Sequence, residues 1–181
     1  MPPTSSKSQK KKSKSTPYGR PEEKKKTIAK QLTFEHYQIT PESPEVPDKL
    51  WTAVNKMGTK YQVHTDLEWE SCIIVTDDKG NVVGACGIGP SELIDDLGLN
   101  NGSFVHFFFV RDNLRRMGVG RQLLEKIIDF CKNQGQTSIW TTITMESQDS
   151  MDFWTACGFK KEAVLCCYDE YDRVYGLRLC L

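Results

Sequence analysis

The chain has 181 residues with 24 basic and 24 acidic side chains, a length that suits one domain with a substantial core. The balanced total conceals a basic start, because residues 1–30 hold ten Lys or Arg and two Glu, and the remainder holds fourteen basic and twenty-two acidic residues. An acidic body repels nucleic acid, the apolar stretches are too short to span a membrane, and the seven cysteines lack the spacing of a metal site.

Residues 1–30 are rich in Lys, Ser and Pro and nearly free of large apolar side chains, so we expect a disordered basic arm. The cluster Lys7–Lys14 fits a nuclear-import signal or a weak, nonspecific contact with RNA or an anionic membrane. It fits a solvated tail without a partner equally well. Because no secretory or transit signal opens the chain, we expect a cytoplasmic protein with reduced thiols, or a nuclear one if the cluster acts.

The body, residues 31–181, is expected to form one domain. Its predicted elements begin with a strand at 32–39, one or two short helices at 44–57 ended by Gly58, and a hairpin with arms at 71–76 and 81–88. A loop or short helical stretch at 90–102 follows, then a strand at 103–110, a helix at 119–132 and a strand at 137–145. The last elements are a short helix at 147–157 and a closing hairpin with arms at 163–168 and 174–181.

The strand at 103–110, SFVHFFFV, is short, aromatic and almost wholly apolar, which is typical of a buried central strand. The strand–helix–strand unit at 103–145 predicts two parallel strands joined by a right-handed crossover. The flanking hairpins add antiparallel neighbours. The predicted fold class is therefore a mixed α/β sheet with helices on its faces.

The central strand and the following helix are joined by the segment Arg115-Arg116-Met117-Gly118-Val119-Gly120. A helix N-terminus offers unpaired N–H groups and the positive end of the helix dipole, and glycine lets the backbone approach a phosphate closely. The segment therefore suits a pyrophosphate, although an ordinary glycine turn would look the same. It lacks the Lys-Ser/Thr of a Walker loop, and Leu123 stands where a Rossmann fingerprint needs its third glycine.

A second block at 147–159 reads SQDSMDFWTACGF. With the first block it resembles the GNAT acetyltransferase superfamily, which shows Arg/Gln-x-x-Gly-x-Gly/Ala after its fourth strand and later Asn-x-x-Ala-x-x-Phe-Tyr-x-x-x-Gly-Phe. The matching positions, in register and without gaps, are Arg115, Gly118 and Gly120, then Ser147, Ser150, Phe153, Trp154, Gly158 and Phe159. The resemblance covers roughly residues 31–181.

The resemblance implies a GNAT fold with a mixed sheet of about seven strands, helices on both faces, and parallel fourth and fifth strands that splay apart. It implies acetyl-CoA as co-substrate, with the pantetheine arm in the splay and the pyrophosphate on the backbone amides of 115–120. The main chain of Phe108, Phe109 and Val110 would pair with the arm. The Val110 amide would polarise the thioester carbonyl.

Two motif positions depart from the family pattern. Ser147 replaces the Asn that helps to hold the cofactor arm, and Trp154 replaces the Tyr that often protonates the leaving thiolate. Because an indole does not ionise near neutral pH, either Tyr168 or water supplies that proton, or the protein is a CoA-binding, catalytically weak sensor or scaffold. His106 is the candidate general base of an N-acetyltransferase, with an inert core histidine as the alternative. Its spacing to Val110 predicts that both share one strand face.

Acidic residues lie in two predicted loops that border the acceptor site in GNAT folds, namely Glu92, Asp95 and Asp96, and Asp169, Glu170 and Asp172. They favour a cationic amine such as a polyamine, lysine or a basic peptide, and the alternative is solvated loop charge. Trp51 and Tyr61 fit either the acceptor side or the core. The sequence predicts neither a metal site nor an oligomeric state.

Overall fold

The computed structural model describes residues 32–38, 46–61, 70–90, 102–166 and 173–181. Several sequence predictions concern positions outside these ranges, namely the basic arm, the acidic loop positions and Tyr168. In the part of the chain that the structure describes, no helix has both the length and the apolar character needed to cross a membrane.

The described residues form seven strands and three helices. The strands are β1 Thr33–Gln38, β2 Ser71–Thr76, β3 Val82–Gly89, β4 Gly102–Val110, β5 Ser138–Thr144, β6 Lys160–Cys166 and β7 Arg173–Cys180. The helices are α1 Asp48–Lys60, α2 Val119–Asn133 and α3 Gln148–Ala156, with a 3₁₀ turn at Asp112–Leu114. One sheet has the strand order β1-β2-β3-β4-β5-β7-β6. Its pairs are antiparallel except for β4 and β5, which confirms the predicted mixed sheet.

The sheet has a hydrophobic core on each face, because side chains alternate along each strand. On β2, Ile73 and Val75 belong to the core that contains α2 and α3, whereas Cys72 and Ile74 belong to the core that contains α1. All residues of β2 and β3 are buried. Helices therefore cover both faces, as predicted.

Helix α1 continues through Gly58, although the sequence analysis expected Gly58 to end it. Val54 and Gly58 lie one turn apart and are the buried positions of α1. Glycine is an unfavourable residue inside a helix, but it can be accommodated where burial requires a small residue. The helix instead ends at Lys60, where a basic side chain suits the negative end of the helix dipole.

The parallel strands β4 and β5 separate along their length. They pair only where Gly102–Phe104 meets Ser138–Trp140. Beyond these positions β4 runs on to Val110 and β5 to Thr144 without further pairing to each other. The resulting gap confirms the predicted splay.

A β-bulge interrupts the pairing of β3 with β4. Gly87 opposes Phe107, whereas the next residue, Ile88, opposes Val105. His106 is therefore an additional residue on β4. The bulge places the candidate general base where the regular alternation of side chains breaks down.

Gly87 makes room for the ring of Phe107 beside this bulge. A Cβ at Gly87 would overlap with Cε1 of Phe107, and Phe107 is fully buried. We expect Gly87→Ala to lower the free energy of unfolding by about 1–3 kcal/mol through overpacking, measured by urea unfolding. Phe107→Leu should relieve the clash, so the double variant should lose less stability than the two single variants together. Additivity within about 0.5 kcal/mol would contradict this explanation.

Candidate functional site

The C-terminal half of β4 directs alternate backbone groups into the gap beside β5. The Arg111 amide donates to the Val83 carbonyl at 2.8 Å, and Val110 opposes Gly84 in the register. Since hydrogen-bonded positions alternate in an antiparallel pair, the N–H and C=O of Val110 point away from β3. The same alternation directs the backbone groups of Phe108 toward the gap.

Phe109 lies between these two residues and directs its backbone groups toward β3, where it opposes Ala85. Its side chain packs in the core beside α1, with its ring 6.3 Å from that of Phe107. The geometry therefore leaves Phe108 and Val110, and not Phe109, as candidates for main-chain pairing with a cofactor arm. The sequence prediction treated all three residues alike because it did not take the pairing with β3 into account.

The N-terminus of α2 lies just beyond β4 and has no side-chain cap among the described residues. Gly118 stands at the N-cap position with φ of 89°, and Arg116 also has a positive φ, of 58°. The first intrahelical bond runs from the Gln122 amide to the Gly118 carbonyl at 3.1 Å. The first amides of the helix are thus oriented as an anion site requires.

The left-handed backbone at Gly118 provides a test of this site. We expect Gly118→Ala to weaken acetyl-CoA binding by about five- to tenfold, because a left-handed L-residue costs about 1–2 kcal/mol and relaxation would turn the amides away. A Cβ would meet only Gln122 Nε2, at 3.9 Å, so a steric clash contributes little.

Gly135 provides the matched control, because it has φ of 72° just past the other end of α2, with nothing within 4 Å of an added Cβ. Gly135→Ala should lower stability to a similar extent and leave acetyl-CoA affinity unchanged in calorimetric titration. Equal affinities for the two variants would argue against an anion site at Gly118.

The other residues of the segment have distinct surroundings. Gly120 lies under the ring of Phe153, whose Cε2 would be 3.2 Å from an added Cβ. Val119 is buried in the core, and Met117 is half-buried in the turn. Arg116 is 84% exposed, and its guanidinium contacts Asp149 of α3 at 3.1 Å. Val119 and Gly120 can therefore offer a phosphate their backbone groups but no side chain.

The Arg115 side chain makes three contacts with groups of the described residues. Its Nε donates to the Val110 carbonyl at 3.1 Å, and its Nη2 lies 3.2 Å from Asp112 Oδ1. The guanidinium carbon lies 5.0 Å from the ring centroid of Tyr61. The sequence prediction treated Arg115 as a positive charge near a phosphate and did not anticipate these partners.

Tyr61, at the end of α1, joins a polar cluster that the sequence reasoning missed. The Asp112 amide donates to the Tyr61 hydroxyl at 3.1 Å, and Lys60 Nζ lies 3.1 Å from Asp112 Oδ2. The hydrogen bond from Lys60 lowers the pKa of the Asp112 carboxyl and raises that of Lys60. More than fifty residues separate Lys60 from Asp112, so no local pattern could reveal the contact.

Trp154, at the position of the family tyrosine, is buried, with 4% of its surface exposed. Its ring centroid lies 5.1 Å from that of Phe108, 5.2 Å from Phe153 and 4.8 Å from Phe159. These four residues form an aromatic cluster that joins β4 to α3. Trp154 is thus part of the core and touches Phe108 on the strand that borders the gap.

Ser147 stands at the N-cap position of α3 and is half-buried. Its hydroxyl donates to the Ser150 hydroxyl at 2.7 Å and makes no side-chain cap bond to the helix backbone. The two serines occupy the Asn and Ala positions of the family pattern. Their hydrogen bond directs the Ser147 hydroxyl toward α3.

His106 is half-buried on the bulge of β4. Its Nε2 lies 2.8 Å from the Pro90 carbonyl oxygen, and its ring centroid is 5.1 Å from that of Phe104. Because a carbonyl can only accept, Nε2 carries the proton, and Nδ1 is the basic nitrogen of the neutral ring.

Because of the bulge, the spacing between His106 and Val110 no longer determines which face of the sheet His106 occupies. Val105 and Val110 lie in the same core although five positions separate them. Regular alternation from Val110 puts His106 on the face of that core, whereas alternation from Val105 puts it on the opposite face. The four-residue spacing therefore does not by itself assign His106 to the face of Val110, and that assignment stays a prediction. In the described residues, no group of three or more His, Cys, Asp or Glu side chains is arranged to hold a metal ion.

Comparison with known proteins identifies the family of this chain. A model of the acetyltransferase (GNAT) family matches residues 28–159. N-acetyltransferase 8B of Homo sapiens is 26% identical over 125 residues, which cover 62% of this chain and 54% of the human protein. The chain thus spans about half the length of that curated relative.

Two solved structures show the same fold at low sequence identity. A candidate GNAT-family acetyltransferase from Desulfovibrio desulfuricans matches with a TM-score of 0.59 and 18% identity over 82% of this chain and 98% of that one. A candidate streptothricin acetyltransferase from Bacillus anthracis, solved with acetyl coenzyme A, matches with a TM-score of 0.53 and 14% identity over 64% and 65% of the two chains. With the family model matching most of its length, the chain belongs to the GNAT acetyltransferase family.

Proposed function

We propose that the chain is an N-acetyltransferase that moves the acetyl group of acetyl-CoA to a primary amine by direct attack on the thioester. The observation that carries this proposal is the gap between β4 and β5, bordered by the Val110 amide and adjacent to the uncapped N-terminus of α2. The family to which the chain belongs uses acetyl-CoA. Residues 31–181 would form this catalytic domain.

The cofactor-binding groups would be mainly backbone groups. Amides of the segment at 116–120 would hold the pyrophosphate, where unpaired N–H groups and the helix dipole favour an anion. The Arg115 amide of the predicted segment already donates to the Asp112 carbonyl at 3.2 Å. Phe108 and Val110 would pair with the pantetheine arm through the backbone groups that point into the gap. The Val110 N–H would donate to the thioester oxygen as negative charge develops there. Ser147 and Trp154 would border the arm from α3.

His106 would act as general base through Nδ1, because its Nε2 donates to the Pro90 carbonyl. It would take the proton of the amine as the new C–N bond forms and the C–S bond breaks. Tyr168 or a water molecule would return a proton to the departing thiolate. The Trp154 indole cannot do so at neutral pH, and its ring is already buried among aromatic side chains.

The acceptor we favour is a cationic amine such as a polyamine, lysine or a basic peptide. Its support is the acidic composition of residues 31–181, including the two acidic segments that the sequence predicts as loops. The arm at 1–30 would act separately, by nuclear import through Lys7–Lys14 or by weak contact with nucleic acid. In this proposal the protein is cytoplasmic, or nuclear where the cluster acts.

A catalytically weak, CoA-binding sensor or scaffold is the second candidate. It is favoured by Trp154, because this residue contributes to packing where many relatives have an ionisable tyrosine. This candidate predicts that the groove binds acetyl-CoA without supporting turnover.

Release of CoA from acetyl-CoA, measured with polyamines, amino acids and basic or neutral peptides, separates the two candidates. An enzyme releases CoA only in the presence of one amine class. A sensor is stabilised by acetyl-CoA in thermal unfolding but releases no CoA with any amine. Absence of both stabilisation and release would overturn the shared premise of a cofactor groove. Equal rates of CoA release with cationic and neutral amines would contradict the proposal that acidic residues select a cationic acceptor.

A further inference from the structure

The side chain of Arg115 is half exposed and contacts three groups of the protein. Its Nε donates to the carbonyl of Val110 at 3.1 Å, and its Nη2 pairs with Asp112 at 3.2 Å. Its guanidinium carbon lies over the ring of Tyr61, 5.0 Å from the ring centroid. We refer to these four residues as the Arg115 clamp.

The clamp joins the end of β4 to the end of α1. Tyr61 directly follows α1, its ring lies 6.0 Å from that of Phe109, and its hydroxyl accepts the Asp112 amide. The Val110 carbonyl has no β3 partner, because it points into the gap. Arg115 supplies the donor for this carbonyl at the position where β4 and β5 have separated.

We propose that Arg115 is a positioning residue, which fixes the Val110 peptide and the turn after it through the clamp and does not bind the pyrophosphate with its side chain. This inference rests on the proposed function, because the Val110 amide is the proposed donor to the thioester oxygen. A strand end that lacked this contact could shift by a fraction of an ångström. Misplacement of about 1 Å can reduce a rate about a hundredfold.

Two substitutions at Arg115 separate positioning from attraction of phosphate. Gln carries its amide nitrogen where Arg carries Nε, four bonds from Cα, so Arg115→Gln keeps a donor for the Val110 carbonyl but loses the charge. Arg115→Lys keeps the charge, which serves a phosphate well, but has a methylene at that position and lacks the planar fork. The clamp and a phosphate contact therefore predict opposite orders for the two variants.

The experiment measures kcat, the KM for acetyl-CoA, and the calorimetric affinity for CoA in the full chain and both variants. The clamp predicts that Arg115→Lys lowers kcat about tenfold or more, that Arg115→Gln lowers it by about threefold, and that CoA affinity stays within about threefold for both. Arg121→Lys is the matched control, since this exposed arginine also donates to a backbone carbonyl, that of Ala156 at 3.4 Å. It should leave all three quantities within about twofold of the parent.

Amide hydrogen exchange, followed by NMR without ligand, tests the clamp independently of activity. We expect the amides of 110–116 to exchange faster in Arg115→Lys than in the parent or in Arg121→Lys. If the parent shows no turnover, the proposed function fails, and the exchange rates alone decide on the clamp. If Arg115→Lys does not fold, Asp112→Ala removes one clamp partner and should change kcat and exchange in the same direction.

A phosphate ligand would give the reverse order. Arg115→Lys would then keep CoA affinity and kcat close to those of the parent, whereas Arg115→Gln would weaken CoA binding about tenfold or more. That result, or unchanged exchange at 110–116 in Arg115→Lys, would overturn the proposal.

Discussion

Replacement of Trp154 by alanine is expected to lower the free energy of unfolding by about 3–5 kcal/mol. The side chain is 4% exposed and packs against Phe108, Phe153 and Phe159, with ring centroids 4.8–5.2 Å away. Its removal would leave a cavity where α3 meets the sheet and would withdraw support from Phe108. Urea unfolding, monitored by circular dichroism, measures the loss, and a loss below about 1 kcal/mol would show that the cluster collapses without strain.

Trp154→Tyr is the control that keeps an aromatic ring and restores the family residue. It should lower the free energy of unfolding by about 1–2 kcal/mol, because most of the packing remains. The same variant informs the choice between the two proposed functions. A rise in turnover would show that the missing phenol limits catalysis. Unchanged turnover would indicate that another group protonates the departing thiolate.

Replacement of His106 by glutamine is expected to lower kcat/KM at neutral pH by about a hundredfold or more, as is typical for loss of a general base. Glutamine can still donate to the Pro90 carbonyl, which His106 Nε2 contacts at 2.8 Å, so the bulge should persist. The KM for acetyl-CoA should change little, because the proposed base faces the amine and not the cofactor. Steady-state kinetics with the preferred amine measures both quantities.

His36→Gln provides the matched control for this substitution. His36 lies on β1 with its ring 4.7 Å from that of Phe130, and the order β1-β2-β3-β4 places two strands between it and His106. The control should keep full turnover. Full turnover in His106→Gln as well would assign His106 to the core, and the amine would then lose its proton to water or to another group.

The sequence predicted those features that depend on local patterns. The apolar run at 103–110 identified the central strand, and the pattern at 119–132 identified helix α2. The segment that joins β4 to β5 through α2 was long enough to require the parallel pair that the structure contains. The glycine segment was placed correctly at a helix N-terminus, because the apolar periodicity of the helix begins at residue 119.

Other features depend on a partner that is distant in sequence, and local patterns do not determine them. The face of His106 could not be counted from Val110, because the bulge exists only in the pairing with Gly87 and Ile88. In the same way, the backbone of Phe109 is directed to β3 and not to the gap, which depends on register. Alternation along one strand is a local rule, and a bulge is a property of two strands.

The sequence by itself thus determined the order of elements, the parallel pair and the glycine segment, because periodicity and backbone preference are local properties. Only the tertiary structure decided what the side chains contact. Arg115 meets Tyr61 across more than fifty residues of chain, and Trp154 meets Phe108 across more than forty. Such contacts form when helices pack on the sheet, and burial there outweighs the local preference that would have ended α1 at Gly58.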